Sequence, residues 1–235
     1  MKLLGIDTST QTASVAVFED GAILGEMLLN TPLTHSQKLM PMVESLLTQL
    51  NLKVKDFDGY YVATGPGSFT GVRIGVSTVK GFAQAHRKPI VACSSVELLA
   101  LGNLQHEGLI VSILDAKRET AFFGVYRSNG ERLKKIREGI LSLAEIHQYI
   151  ESEFSSERIL LVGEALYAYP TFFENLKNMW NKNSYFYGHQ RHNIINATSF
   201  CHMDFKSAEH LSYLEVTAEY MKASQAERDK KSNPL

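Results

Sequence analysis

The chain has 235 residues, of which 44% are hydrophobic and 21% are charged, and its formal net charge is −1. These values are ordinary for a globular protein of one large or two small domains, and they argue against a protein that holds nucleic acid alone through a broad basic surface. Two cysteines are too few for a disulfide framework, and no apolar run approaches the roughly 20 residues of a membrane span. Asp7 interrupts the N-terminal apolar stretch before a signal-peptide core could form, so we expect a cytoplasmic protein.

Three antiparallel strands are predicted at the N-terminus. Residues 2–7 read as a short buried strand, and residues 13–18 alternate in polarity as a second strand. Asp20-Gly21 is a typical hairpin-turn dipeptide, and it precedes a third strand near residues 22–29. Three consecutive antiparallel strands already constrain the topology.

Two helices on either side of a strand follow. The first shows the i, i+3, i+4, i+7, i+11 spacing of an apolar helical face, and Pro41 lies inside that pattern, so the helix begins just before the proline or is kinked there. Residues 59–64 read as a buried strand, and the second helix ends near His86. The apolar positions that define the two helices are Leu39, Met42, Val43, Leu46 and Leu50, then Val72, Val76, Val79 and Ala83. A short strand at residues 89–92 and a helix at residues 95–101 complete this half.

From Leu109 the pattern begins again. The predicted elements are strands at 109–114, 121–126, 133–140 and 158–162, with a helix at 143–150 before the last strand. We interpret the repeat as a weak internal duplication with a boundary near residue 103. The chain is accordingly divided into an N-terminal lobe (1–103), a smaller C-terminal lobe (104–210), and a C-terminal helix and tail (211–235). The terminal helix is predicted over 211–227, and no element is predicted within 181–207.

The stretch from Gly65 to Gly75 (Gly-Pro-Gly-Ser-Phe-Thr-Gly-Val-Arg-Ile-Gly) lies between a buried strand and a helix. Glycines there allow unusual backbone angles, and the exposed N–H groups of a helix start can hold an anion. The spacing is neither that of a Walker A loop nor that of a Gly-x-Gly-x-x-Gly fingerprint. The alternative is a tight turn that lets a helix pack closely, which Gly71, Gly75 and Gly81 favour because each interior glycine costs a helix about 1 kcal/mol.

Asp7-Thr8-Ser9 follows the first strand directly. A carboxylate with neighbouring hydroxyl groups at a strand end could position a metal-bound phosphate. The same three residues are also typical of a capped β-turn.

Four segments in this order make the sequence similar to the TsaB (YeaZ) family. The segments are Gly5-Ile6-Asp7-Thr8-Ser9, His35-Ser36 with Leu39-Met40-Pro41, Gly65 to Gly75, and Leu114-Asp115-Ala116-Lys117-Arg118. The resemblance implies an α/β, actin-like (ASKHA, ribonuclease H-like) two-lobed fold with mixed β-sheets flanked by helices. It also implies a vestigial nucleotide site at Asp7, Thr8, Ser9, Gly65 and Gly67.

The resemblance further implies a non-catalytic subunit for threonylcarbamoyl-adenosine modification of tRNA beside the anticodon. Such a subunit binds and activates the transferase TsaD together with the ATPase TsaE, reaches tRNA only through the complex, and can form a homodimer through the same helices. ATP or ADP and a metal are expected in the TsaD/TsaE complex, with no cofactor held tightly by this chain alone and no membrane contact. The residues predicted at the partner surface are His35, Leu39, Met42, Val43, Leu46, Gly71, Arg73, Gly75, Val76 and Val79. The alternative for the apolar helix positions is that they are wholly core.

Three features argue against catalysis by this chain. No His-x-x-x-His metal motif of the TsaD type occurs, and Cys93 with Glu97 stands where it would be expected. His189 and His192 are three residues apart without a third ligand. The turn at 115–120 has no glycine that would let backbone N–H groups surround a phosphate, and the adenosine-side segment is Gly163-Glu164-Ala165 rather than Gly-Gly-rich. The chain therefore has the scaffold of an ATPase without its phosphate clamps.

Two other function classes were considered. An actin-fold ATP-dependent phosphotransferase acting alone is the alternative that the scaffold leaves open. A peptidase is not supported, because neither a Gly-x-Ser-x-Gly elbow nor a His-Glu-x-x-His site occurs in the sequence.

Overall fold

A computed structural model describes residues 1–179, 185–219 and 221. Its first sheet contains β1 (Lys2–Asp7), β2 (Ala13–Glu19), β3 (Ala22–Leu29), β4 (Gly59–Ala63) and β5 (Ile90–Cys93). The strand order is β3-β2-β1-β4-β5, with β1 to β3 antiparallel and β4 and β5 parallel to β1. Parallel pairing of β1 with β4 brings their carboxyl ends to the same edge of the sheet.

Helices cover both faces of this sheet. They are α1 (His35–Gln49), α2 (Phe69–His86) and α3 (Ser95–Leu101). α1 and α2 pack on one face, and α3 packs in the core cluster of the opposite face. α1 begins at His35, six residues before the proline expected near its start, because the backbone N–H of Thr34 donates to the side chain of Gln37 (3.1 Å) and caps the helix. Pro41 is accommodated inside it.

The second sheet repeats the topology of the first. It contains β6 (Gly108–Asp115), β7 (Thr120–Ser128), β8 (Leu133–Ser142), β9 (Ile159–Val162) and β10 (Tyr185–Tyr187) in the order β10-β9-β6-β7-β8. Its helices are α4 (Leu143–Phe154), α5 (Ala165–Ala168) and α6 (Pro170–Met179). Three antiparallel strands followed by two parallel ones occur in both sheets. The predicted duplication and the actin-like α/β fold are confirmed, whereas the lobe limits at residues 103 and 210 stay predictions.

Residues after β10 return to the first sheet. A 3-10 helix at Ala197–His202 packs against β1 and β2, and the Phe200 ring stacks on Tyr61 with centroids 5.1 Å apart. The sequence showed no periodic pattern here because aromatic side chains, not a regular apolar face, hold the segment in place.

The predicted C-terminal helix is wrong for residues 211–219. Leu211 pairs with Ile90 through two backbone hydrogen bonds, and the N–H of Glu219 donates to the carbonyl of Thr64 (2.7 Å). These backbone groups bind the first lobe instead of forming a helical ladder. The rest of the predicted helix lies outside the described residues, apart from Met221, which packs against the core.

None of the helices within residues 1–179 and 185–219 combines the length and apolar composition that spanning a bilayer would require.

Candidate functional site

The loops after β1 and β4 meet at the carboxyl edge of the first sheet. The backbone N–H of Ser68 donates to the carbonyl of Ser9 (2.6 Å), and the Thr8 hydroxyl donates to the carbonyl of Gly71 (2.7 Å). The structure thus brings together Asp7, Thr8, Ser9, Gly65 and Gly67, as the vestigial nucleotide site requires. Whether they ever hold a nucleotide stays a prediction.

The chain's own loop after β1 fills the space in which a side chain at the glycines of this stretch would lie. A Cβ atom would lie 2.1 Å from the Ser9 carbonyl oxygen at Gly67, 2.2 Å from the Thr8 carbonyl oxygen at Gly71, and 2.5 Å from the Thr8 hydroxyl at Gly75. Gly71 and Gly75 therefore let α2 approach the β1 loop of the same chain. The expectation that these glycines admit a partner helix is corrected.

Asp7 is fully buried at the centre of this junction. Its Oδ1 accepts hydrogen bonds from the hydroxyl (2.7 Å) and the backbone N–H (3.1 Å) of Ser9, whereas Oδ2 has no partner. Burial raises the pKa of Asp7 to about 6, although the bonds from Ser9 lower it. An unpartnered buried carboxylate oxygen disfavours the charged form.

This carboxylate predicts a measurable pH dependence. Because the folded-state pKa of Asp7 lies above its ordinary value, the folded chain binds more protons than the unfolded chain between about pH 4 and pH 6, and stability falls as pH rises through that window. We expect Asp7→Asn to remove up to about 3 kcal/mol of this loss. Urea unfolding of both proteins at pH 4 and pH 7 measures it, and an equal pH dependence in the two proteins would contradict a raised pKa.

The loop after β6 faces this junction from the second lobe. Asp115 accepts hydrogen bonds from the Lys117 backbone N–H (2.7 Å) and from the Tyr169 hydroxyl (2.9 Å). Burial acts to raise the pKa of Asp115, but the hydrogen bond from the Lys117 ammonium, together with these two bonds, outweighs it and lowers the pKa. The backbone N–H of Glu119 donates a hydrogen bond to the same Tyr169 hydroxyl (3.2 Å). Two backbone donors of a loop that could surround a phosphate are thus satisfied by the chain itself.

A second set of polar groups lies between α3 and β8. Glu138 Oε1 accepts hydrogen bonds from the Tyr126 hydroxyl (2.6 Å) and the Ser94 hydroxyl (3.0 Å) and forms an ion pair with Lys135 (3.2 Å). Burial raises the pKa of Glu97, and the charge of Glu138 adds to this effect.

Cys93 is buried beside these groups. Burial, and then the charge of Glu97, hold the pKa of its thiol well above the ordinary value. Cys93 is therefore a buried thiol with little thiolate character, which disfavours a role as nucleophile or thiolate ligand.

Carboxylates dominate the cleft between the lobes. Burial raises the pKa of Glu164, with a further contribution from Asp115, and burial raises the pKa of Glu219 with a contribution from Glu138. The acidic groups that influence one another across the cleft are Asp7, Glu97, Asp115, Glu138, Glu164 and Glu219, and the lysines among them are Lys117 and Lys135. Carboxylates therefore outnumber lysines among these groups.

Of these acids only Asp7 was selected from the sequence as a site residue. Glu164 follows Gly163 at the end of β9, and the duplicated topology, which places it opposite the Gly65 loop, was the signal that could have identified it. Glu138 lies inside β8, where nothing in the local sequence distinguishes it from a solvent-facing strand residue.

Most residues predicted at a partner surface fill the core of this chain. The side chains of Leu39, Met42, Val43, Leu46, Val76 and Val79 pack between the first sheet and its two helices, and Gly71 and Gly75 are buried with them. These residues form the chain's own core because one apolar helical stripe suffices to cover the sheet, and whether the two helices contact a partner stays a prediction. His35 is half-buried and its Nε2 donates to the Thr10 carbonyl (2.7 Å).

The exposed side of the two helices is a separate surface, called here the outer face. It carries Met40, which is 47% exposed, and on α2 the exposed residues Arg73, Ser77 and Gly81. Arg73 lies over the Phe69 ring at 3.8 Å. A Cβ atom at Gly81 would meet nothing within 4 Å. Arg73 is thus the one residue among those predicted at the partner surface whose side chain is exposed.

The described residues offer no cluster of metal ligands. No group of three or more His, Cys, Asp or Glu side chains in that part of the chain has metal-binding geometry. His192 instead lies 3.1 Å from the Asn103 side chain through Nδ1.

The chain is similar in sequence and in fold to known proteins. A protein-family model described as TsaD, tRNA N6-adenosine threonylcarbamoyltransferase, matches residues 30–228. A Bacillus subtilis protein named tRNA threonylcarbamoyladenosine biosynthesis protein TsaB is 38% identical over 136 residues, 58% of this chain and 59% of that protein. The Escherichia coli protein of the same name is 30% identical over 174 residues, 72% of this chain and 74% of that protein.

The chain belongs to the TsaB (YeaZ) family. The solved structure of YeaZ from Pseudomonas aeruginosa superimposes with a TM-score of 0.77, 23% identity, and coverage of 93% of this chain and 99% of that one. At that identity the structural likeness supports the fold alone. The chain spans 59% of the length of the Bacillus subtilis relative in the aligned region.

Proposed function

We propose that this chain is a non-catalytic subunit for threonylcarbamoyl-adenosine modification of tRNA, and that it binds and activates the transferase TsaD together with the ATPase TsaE. The names of the Bacillus subtilis and Escherichia coli relatives support the pathway. In this proposal TsaD and TsaE supply the metal and the nucleotide chemistry, and tRNA is reached only through the complex.

The observation that supports the non-catalytic role is an acidic cleft in which backbone N–H groups of both loops bond to oxygen atoms of the chain itself. Catalytic phosphate sites need free backbone N–H groups and cationic side chains aimed at the phosphate. Here the Ser9 carbonyl accepts the Ser68 N–H, Asp115 and Tyr169 accept N–H groups of the second loop, and carboxylates outnumber lysines. A chain with this cleft is a poor ATPase, although its relatives include the transferase family itself.

The outer face is the proposed docking surface. Because the buried stripe of α1 and α2 faces the chain's own sheet, a partner helix pair has only the exposed side to contact. Met40 offers a flexible apolar contact, and Gly81 permits close helix approach. The same surface would serve a homodimer of the free chain.

We predict that Gly81→Arg and Met40→Glu each weaken co-purification with TsaD by at least about tenfold, because each places a charge in the docking surface. Gly81→Ala is the matched control, which adds only a methyl group, and Thr48→Glu at the exposed end of α1 controls for added charge. The binding is measured by pull-down and by calorimetry with purified TsaD. Circular dichroism checks that the variants are folded.

Two results would contradict the proposal. Undiminished binding of TsaD by both charged variants would show that the docking surface does not lie on these helices. Micromolar ATP affinity with hydrolysis or phosphate transfer by the purified chain alone would instead support the phosphotransferase alternative.

A further inference from the structure

Residues 211–219, called here the strap, run from the start of β5 to the end of β4. Leu211 and Ile90 exchange two backbone hydrogen bonds of 2.8 and 2.9 Å. The Lys80 ammonium donates to the carbonyl of Val216 (3.0 Å), and the N–H of Glu219 donates to the carbonyl of Thr64 (2.7 Å). The strap is therefore held at both ends and in the middle.

The strap packs on the core of the first lobe through Val216 and through the partly buried side chains of Leu211, Tyr213 and Ala218. Val216 is buried, at 1% exposed, in the core beneath α2, whereas Leu214 is 73% exposed. Most of its other residues are exposed or half-buried, and it forms neither a helix nor a strand. Segments with little buried apolar area and exposed backbone hydrogen bonds open at low free energy. Because only Val216 among these side chains is fully buried, we expect the strap to detach at a lower free energy than separation of the sheets requires.

The end of the strap covers the Gly65 loop. The carbonyl oxygen of Glu219 lies 2.7 Å from the position of a Cβ atom at Gly65, so the two backbones are in direct contact. Met221 packs against the core cluster that includes Cys93 of the first lobe and Leu114 of the second. In open α/β sheets ligands enter at the carboxyl ends of the strands. The chain's own backbone occupies that position here.

We propose that residues 211–219 are a releasable strap that closes the cleft between the lobes at Gly65, so that access to the cleft requires release of the strap. Release frees the Thr64 carbonyl and the Gly65 backbone and opens a path toward Cys93. The inference concerns the isolated chain and does not depend on the proposed partner.

Hydrogen exchange with mass spectrometry tests the strap. We use Lys80→Met, which removes the bond to Val216, and Glu219→Pro, which removes the N–H that binds Thr64. Gln84→Met, one turn further along α2 at an exposed position, is the matched control. Each strap variant should exchange about tenfold faster than the wild type at residues 211–219 and 64–68, the factor that corresponds to one net hydrogen bond. Exchange in α4 and β9 should stay unchanged.

Labelling of the Cys93 thiol gives a second readout. In a Cys201→Ser background, both strap variants should react with a maleimide about tenfold faster than the background protein, and Gln84→Met should not. Faster exchange of the strap with unchanged exchange at residues 64–68 and unchanged labelling would show that it covers nothing. Acceleration throughout both sheets would show that the strap opens only when the whole chain unfolds. Either result overturns the proposal.

Discussion

Replacing Gly71 by alanine should lower the free energy of unfolding by about 2–3 kcal/mol, although alanine is the better helix former. The added Cβ atom would lie 2.2 Å from the backbone carbonyl oxygen of Thr8 and 3.0 Å from the His35 ring. A backbone oxygen cannot swing aside as a flexible side chain can, so either α2 or the β1 loop must shift. Overpacking of this kind outweighs the gain in helix propensity.

Gly81→Ala on the same helix is the matched comparison. Because nothing lies within 4 Å of the added atom, this change should raise the free energy of unfolding by about 0.5–1 kcal/mol. Urea denaturation of the two variants and the wild type measures both effects. If the two substitutions changed stability in the same direction, the close contact between α2 and the Thr8 loop would be refuted.

Replacing Phe200 by alanine should cost about 3–5 kcal/mol, the range for removing a fully buried aromatic ring. Phe200 is 0% exposed, stacks on Tyr61, and lies against Gly5, where a Cβ atom would be only 2.7 Å from the Phe200 ring. The change leaves a cavity under β1 that the rigid sheet cannot close. Thermal or urea unfolding measures the loss.

Phe200→Leu serves as the milder control, with an expected loss of about 1–2 kcal/mol because most of the apolar volume remains. A loss below about 1 kcal/mol for Phe200→Ala would mean that residues 197–202 rest on the first sheet without contributing to its core. The Phe200→Ala variant also tests whether residues 197–202, which follow the second sheet in the chain, pack against the first sheet.

The burial of the helical stripe changes how docking variants must be designed. Charged substitutions at Gly75 or Val76 test the core of the chain rather than its docking surface, since Val76 is 4% exposed and Gly75 contacts Thr8. Variants of the outer face leave the fold intact, so a loss of binding can be attributed to the partner contact.

The acidic cleft and the strap have one feature in common. In each, groups of the chain itself occupy a position at which an actin-like ATPase would present hydrogen-bond donors to a phosphate. Ser9 satisfies the Gly67 loop, Tyr169 satisfies the loop after β6, and Glu219 covers Gly65. These intrachain contacts are what the proposed non-catalytic role would require.

The sequence by itself determined the class of fold, the order of most strands and helices, and the family. Period-2 and period-3.6 apolar patterns are local properties, and they predicted β1 to β9, α1 to α3 and the start of α4. The segments around Asp7, Gly65 and Asp115 were specific enough to indicate the family and the meeting of the loops after β1 and β4.

Only the tertiary structure decided which contacts those residues make. An apolar stripe such as Leu39 to Leu46 has the same spacing whether it faces its own sheet or a partner, and only packing shows that it is core. The glycines of α2 have the same ambiguity, which the distance from Gly71 to Thr8 resolves. Residues 197–207 lack periodicity, and residues 211–219 do not form the predicted helix, because isolated aromatic rings and backbone hydrogen bonds to residues more than 100 positions away hold them in place. Such long-range contacts leave no regular pattern in a sequence.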